Sequence, residues 1–199
     1  MTSSVFSQKK NSLTISTIAA IYNGVEDEDY SGRHLGYYRY PSPGLELSYK
    51  KEIFNGFYIG TGINYQLGFV SSYINNYERR FTFNDICFPL LFTKYFKVKD
   101  KEHFFLTSGI YLGKTIKIKA QYPTSPRWIE WPDYKTIENY SDDIRYSDFY
   151  VDFGYHTLLK KHFIFSFAPF FKYRINTTWL NYHQNKFQFG INVNYSLNF

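Results

Sequence analysis

The sequence predicts an all-β chain: an eight-stranded antiparallel up-and-down transmembrane β-barrel, with short turns at one end and longer loops at the other. Three observations lead there. Apolar and polar residues alternate with period two through successive segments. The connections between those segments alternate short and long. Aromatic residues make up 23% of the 199 positions, as Tyr 21, Phe 21 and Trp 3, and along the segments they concentrate on the apolar parity. Such a chain is long enough for one domain and too aromatic for disorder.

The segments are read in order. The first, near 12–23, alternates weakly from Leu13 to Asn23. Near 44–51, Leu45, Leu47 and Tyr49 oppose Glu46, Ser48 and Lys50. Near 56–70, Phe57, Ile59, Thr61, Ile63, Tyr65, Leu67 and Phe69 oppose Tyr58, Gly60, Gly62, Asn64, Gln66 and Gly68. Two weaker segments follow near 81–96 and 104–118. Near 145–158, Phe149, Val151, Phe153 and Tyr155 oppose Asp148, Tyr150, Asp152, Gly154 and His156. Near 163–175, Phe163, Phe165, Phe167, Phe171 and Tyr173 oppose Ser166, Ala168, Lys172 and Arg174. The last, near 186–199, is the most regular: Phe187, Phe189, Ile191, Val193, Tyr195, Leu197 and Phe199 oppose Gln188, Gly190, Asn192, Asn194, Ser196 and Asn198. Successive strand residues point to opposite faces, so each segment has one apolar and one polar face; a helix would scatter both sets around its axis.

Short connections are expected near 52–55, 97–103 and 159–162, and long ones near 24–43, 71–80, 119–144 and 176–185. That layout belongs to an up-and-down membrane barrel, with both termini on the short-turn side. A soluble lipocalin-like carrier also uses eight alternating strands, but hides its apolar face inside. The bulk of Phe, Tyr, Ile and Leu here would overfill so small an interior. The opposite face is rich in Gly, Asn, Ser and Gln, where a soluble surface would carry more Lys and Glu. The membrane barrel is therefore preferred. Aromatics near strand ends (Tyr22, Tyr49, Phe57, Phe69, Phe81, Tyr95, Phe96, Phe104, Tyr146 and Tyr173) are expected to form interfacial belts. Lys94 and Lys114 fall on the lipid-facing parity near strand ends, where a long stem reaches the interface.

Composition closes other routes. A single Cys excludes an internal disulfide framework and a cysteine-built zinc site. No run of about 18 apolar residues exists to form a transmembrane helix. Lys+Arg 23 against Asp+Glu 17 gives +6, but the lysines cluster in short linkers (Lys50-Lys51, Lys97 to Lys101, Lys160-Lys161) and form no stripe. No nucleic-acid partner is expected. Nor is a cofactor or a metal: the five histidines are scattered.

Three stretches resemble a known family. FQFGINVNYSLNF (Phe187 to Phe199) looks like the terminal strand of Gram-negative outer-membrane barrels, ending in an aromatic. DICFPLLFTKYF (Asp85 to Phe96) resembles the E-I-P-L-L-L-K-Y strand of PorT-like, OmpA-like small barrels, with Cys87 and Phe88 inserted before Pro89. SGIYLGKTIKIKA (Ser108 to Ala120) resembles the next strand of that group. The resemblance implies the outer membrane of a Gram-negative bacterium, both termini periplasmic, long loops extracellular, and an assembly signal at Tyr195, Leu197 and Phe199. It also implies export, so residues 1–11 are expected to be a leader remnant or N-terminal tail, with 12–199 as a single outer-membrane barrel domain.

The chemistry-bearing residues divide into three groups. Glu46, Asp85, Asp148 and Asp152 share the lumen parity with Lys50, Lys172 and Arg174. In a narrow lumen such charges are expected to pair, forming a plug that stiffens the barrel and closes it to solutes. The alternative is a catalytic carboxylate or an ion path. Cys87 shares that parity and is read as a small buried side chain. The second group is histidine. Lipid A acyl hydrolases or transferases of this size use His near the outer rim, and His34, with Asp29 and Ser31 nearby, and His183 lie on long loops. His156 and Asp152 share one face. His103 and His162 are turn residues. Nothing in the sequence holds a base against a nucleophile, so no catalytic residue is assigned. The third group is the aromatic loops: Tyr37, Tyr38 and Tyr40, then Trp128, Trp131 and Tyr134, rigid contact area suited to an interface. The expected function is a non-enzymatic barrel, a structural or accessory subunit of a larger outer-membrane assembly in secretion or envelope biogenesis. Its partners would be outer-membrane lipid and other outer-membrane or periplasmic proteins.

Overall fold

The computed structural model describes residues 11–23, 27–28, 34–35, 41–74, 77–99, 102–123, 134–140, 144–160, 162–177 and 187–199. Every element among them is a strand: β1 (Asn11–Asn23), β2 (Asp27–Glu28), β3 (His34–Leu35), β4 (Pro41–Phe54), β5 (Phe57–Ile74), β6 (Tyr77–Lys99), β7 (Glu102–Pro123), β8 (Tyr134–Tyr140), β9 (Ile144–Lys160), β10 (Phe163–Thr177) and β11 (Phe187–Asn198). Eight of them close a barrel in the order β1-β4-β5-β6-β7-β9-β10-β11, every pair antiparallel. The seam joins the first strand to the last, from Ser12 opposite Asn198 to Asn23 opposite Phe187. Closure leaves no edge strand unpaired around the ring.

Alternation decides which way each residue points. On β1, Ser12, Thr14, Ser16, Ile18 and Ala20 are buried in the lumen, while the residues between them face out. The wall is apolar all round: Ile15 is 55% exposed, Leu45 58%, Phe92 57% and Tyr195 56%. This is the reverse of a lipocalin-like carrier, whose large side chains fill the interior.

A two-residue turn joins β4 to β5. Asn55 and Gly56 both have positive φ, 40° and 76°, and Phe54 pairs with Phe57 across them. An Asn-Gly pair with two left-handed residues matches the right-handed twist of the flanking strands. The Gly56 N–H donates to Glu52 Oε1 at 2.8 Å, and Lys94 Nζ donates to the Asn55 carbonyl at 2.7 Å. Lys94 lies 3.9 Å from the Phe57 ring centroid, so its charge leaves the apolar wall for the turn.

The long-loop end departs from the sequence reading. The long connection expected at 71–80 is instead mostly strand: β5 and β6 stay paired to Ile74 opposite Tyr77. Within 119–144, β7 runs to Pro123 and pairs with β8, which continues the line of β9 above the ring. Within 24–43, β2 pairs with β3, and β4 begins at Pro41. Beyond the apolar band both faces meet the same surroundings, so selection for alternation lapses while backbone pairing persists.

Candidate functional site

The lumen holds three tiers of side chains. The first lies toward the long-loop end. Arg174 and Asp148 sit opposite each other on β10 and β9. The guanidinium donates through Nε to Asp148 Oδ1 at 2.8 Å and through Nη2 to Oδ2 at 3.3 Å, the two-point geometry that suits a carboxylate. Its other side covers the Tyr146 ring, 3.7 Å from the centroid. The Tyr146 hydroxyl and Cys87 Sγ are hydrogen-bonded at 3.1 Å, and Thr115 donates to Asp85 Oδ1 at 2.7 Å.

The central tier draws on six strands. Glu46 on β4 accepts from Tyr111 of β7 at 2.7 Å and from Asn64 of β5 at 3.3 Å. The Tyr111 and Tyr150 rings pack with centroids 5.0 Å apart. Lys172 on β10 holds its ammonium 4.0 Å from the Tyr111 centroid and 5.9 Å from that of Tyr150, a cation–π arrangement strengthened by burial. Tyr150 donates to Asp152 Oδ2 and accepts from Asn192 of β11 at 2.7 Å.

The third tier lies at the short-turn end and is mostly aromatic. Tyr95 packs against Tyr58 at 5.1 Å, Phe105 at 5.7 Å and His156 at 4.9 Å, and His156 against His103 at 4.8 Å. Lys50 Nζ stands 6.0 Å from the Phe105 centroid.

Glycine makes room for the rings. Gly113 is opposite Tyr146, Gly154 opposite Phe105 and Gly190 opposite Phe170. A Cβ on these glycines would meet the facing ring at 2.2, 2.3 and 2.5 Å. Each aromatic lies flat over the gap that its partner leaves.

All seven charged residues expected inside do face the lumen, but not as one salt-bridged set. Arg174 pairs with Asp148. Glu46, Asp85 and Asp152 each accept a hydrogen bond from a neutral hydroxyl, and Lys172 and Lys50 lie by aromatic rings. Cys87 is buried as expected. Of the expected belt, Tyr49, Phe57, Phe96, Phe104 and Tyr173 face out, and Phe69 is half-buried. Tyr146 and Tyr95 do not join it: Tyr146 is buried in the lumen and Tyr95 is packed in the third tier. The side chains of Tyr22 and Phe81 lie outside the described residues.

Tyr195, Leu197 and Phe199 face outward. The Phe199 N–H donates to the Asn11 carbonyl at 3.1 Å, fixing the chain end to the first strand. Tyr37, Tyr38, Tyr40, Trp128 and Trp131 lie outside the described residues, as do His183, Asp29, Ser31 and the side chains of Tyr134 and His34. His156 belongs to the aromatic tier. His162 is half-buried beside a short turn, its carbonyl accepting from Asn198 N–H at 2.9 Å.

Sequence reasoning missed the ring component of the lumen: Phe105, Tyr111, Tyr146 and Phe170. For Phe105, Tyr146 and Phe170 the available signal was a large aromatic on the polar parity with a glycine on the strand beside it; Tyr111 pairs with Pro89 and Asp148 and carried no such signal.

No protein-family model matches the chain, and no curated protein matches it in sequence. Solved structures share its architecture, two of them as follows. Neisserial surface protein A is 9% identical, with 96% of this chain and 97% of that one covered and a TM-score of 0.52. The outer membrane protein OprG from Pseudomonas aeruginosa is 9% identical, with 98% and 100% covered and a TM-score of 0.56. The fold is that of the small outer-membrane barrels. At this identity the likeness concerns backbone architecture, and the lumen just described is a property of this chain.

Proposed function

We propose that this chain is a non-enzymatic outer-membrane β-barrel whose lumen is closed by its own side chains, and that it serves as a structural or accessory subunit of a larger envelope assembly. The carrying observation is the contrast between its two surfaces. The wall exposes large apolar side chains around the whole ring, which in water would be an aggregation hazard and in hydrocarbon is the stable arrangement. The lumen is crossed by the Glu46–Tyr111–Lys172–Tyr150–Asp152 tier and floored by the Tyr58–Tyr95–Phe105–His156 cluster. A barrel so filled does not conduct, so its work falls to its wall, its rims and its loops. The likeness of residues 85–96 and 108–120 to PorT-like, OmpA-like barrels favours secretion or envelope biogenesis as the setting. On this reading both termini are periplasmic, Tyr195, Leu197 and Phe199 form the strand that the assembly machinery reads, and Tyr37, Tyr38, Tyr40, Trp128, Trp131 and Tyr134 are the partner contacts.

Gentle detergent extraction followed by affinity purification tests the reading. Recovery from the membrane fraction with a stoichiometric partner is expected. A stable solitary monomer counts against the subunit role, and recovery in the aqueous fraction without detergent counts against the membrane. In planar bilayers the protein is expected to show no steady current; large stable channels would refute the closed lumen.

A further inference from the structure

The central tier holds two oxygens that its own hydrogen bonds leave over. The Tyr150 hydroxyl gives its one proton to Asp152 Oδ2. Toward Asn192 it can therefore only accept, and the amide presents its nitrogen at 2.7 Å. That contact fixes the amide, with Oδ1 turned away from the hydroxyl. Asn192 Oδ1 and Asp152 Oδ1 are both buried, and neither accepts a hydrogen bond among the described residues. The two residues are 7% and 6% exposed. Thr107, opposite Asp152 on β7, has its hydroxyl 3.1 Å from that of Thr93. A buried acceptor without a donor is costly, and here one tyrosine holds the two groups that carry such acceptors.

Charge points the same way. Among the described residues, Glu46, Asp85, Asp148 and Asp152 face the lumen with Lys50, Lys172 and Arg174. With histidine neutral, one negative charge is left over, and in a narrow interior it needs a counter-charge. Asp148 has Arg174. Around Asp152, Lys50 and Glu46 act with opposite signs. The neighbouring lumen wall is built of short polar side chains. Asn194, next to Asn192 on the inner face of β11, stands opposite Ser16 of β1 and Ser166 of β10, all buried. From the short-turn end, where Lys50 is half-exposed opposite Ser12, the buried hydroxyls of Ser12, Thr14 and Ser16 lead up β1 toward them.

We propose that Asp152 Oδ1 and Asn192 Oδ1 bind a monovalent hard cation of the sodium class, reached from the short-turn end. A carboxylate and an amide oxygen are hard donors. No three His, Cys, Asp or Glu side chains converge among the described residues as they would around a transition metal. One positive charge cancels the one left over, whereas a divalent ion would leave the lumen as far from neutral with the opposite sign. The arrangement is a site and not a path, because the Tyr111 and Tyr150 rings and Lys172 lie on its long-loop side. The inference rests on the lumen being closed by its own side chains, and not on the subunit role.

The test unfolds the full chain in urea from non-ionic micelles at constant ionic strength, with sodium exchanged for N-methylglucamine. One ion bound only by the folded barrel raises the folded-to-unfolded ratio about tenfold for each tenfold rise in sodium above its dissociation constant. Wild type is expected to reach that slope. Asp152→Asn keeps an oxygen for the Tyr150 proton and is expected to lose the sodium dependence, while Asp148→Asn, at the carboxylate that Arg174 grips, keeps it. The sodium-23 linewidth needs no variant and decides the matter if Asp152→Asn does not fold: folded wild type should broaden the line beyond protein-free micelles, and the urea-unfolded chain should not. A wild type with neither slope nor broadening leaves both oxygens to water and overturns the site. Equal slopes for wild type and Asp152→Asn overturn the assignment to Asp152. The same stabilisation by calcium at a hundredth of the sodium concentration overturns the monovalent class. A steady sodium current in planar bilayers refutes the closed lumen instead, a different failure from a closed barrel with no sodium dependence.

Discussion

Phe92 and Phe105 lie on the two strands of one hairpin. Phe92 on the wall is 57% exposed; Phe105 in the lumen is 2% exposed. The wall ring has apolar neighbours only beside it, and its outer side is left to the surroundings. The lumen ring is enclosed: Gly154 beneath it, Tyr95 at 5.7 Å, Lys50 at 6.0 Å and His156 at 6.2 Å. The same residue type is thus a solvent-matched surface on one face and a shaped packing element on the other. A barrel this small has its interior set by what stands opposite each side chain, and not by polarity alone.

The two positions can be broken in parallel. Phe105→Ala removes apolar contact and leaves a gap that strands on every side hold open, so a loss of about 4 kcal/mol is expected. Phe92→Ala loses only the transfer contribution, because lipid or detergent flows into the space; about 2 kcal/mol is expected. Urea unfolding from micelles followed by tryptophan fluorescence measures both. Equal losses would mean that the lumen is not packed as described.

Gly113 sharpens the comparison from the small side. A branched side chain there would be driven into the Tyr146 ring, whose nearest atoms stand 2.2 Å from the ideal Cβ position. Gly113→Val should therefore cost about 3 kcal/mol by overpacking. In the background of Tyr146→Ala the same change should cost little, and the double-mutant cycle reads that coupling directly. Asp148→Asn comes next. It keeps the shape but removes the charge that Arg174 grips at two points, and Arg174 retains the Tyr146 face. A loss of about 2 kcal/mol is expected in the same unfolding assay, below the usual cost of breaking a fully buried pair, because the arginine is half-buried.

The wall was legible in the sequence because lipid imposes one rule on every outward position. Leu13, Ile15, Leu45, Leu47, Phe57 and Ile59 obey it and define their strands. The lumen follows no such rule. Tyr111 and Phe105 on β7 interrupt the polar parity, and each is accepted because of a residue on another strand: Glu46 for one, Gly154 for the other. Those partnerships depend on the register around the ring, which a single segment does not carry. The seven charged positions were found by parity, whereas their partners were not. A carboxylate paired with a tyrosine hydroxyl looks, in sequence, the same as one paired with lysine. The strands above the apolar band were missed for the opposite reason: Ser71 to Ile74 are paired in register with Tyr77 to Arg80, and backbone pairing by itself leaves no pattern in sequence.

The smallest change separates the two roles that Tyr111 plays. Its hydroxyl donates to Glu46 at 2.7 Å, while its ring supports Lys172 at 4.0 Å and packs on Tyr150. Tyr111→Phe removes only the first. Glu46 keeps its bond from Asn64, and the ring remains to hold the ammonium, so about 1 kcal/mol should be lost. Tyr111→Leu removes both and should lose clearly more in the same unfolding titration. If Phe and Leu cost the same, the hydrogen bond carries the whole contribution and Lys172 gains nothing from the ring. If Phe costs nothing, the central tier is held by packing, and Glu46 is kept in place by Asn64 alone.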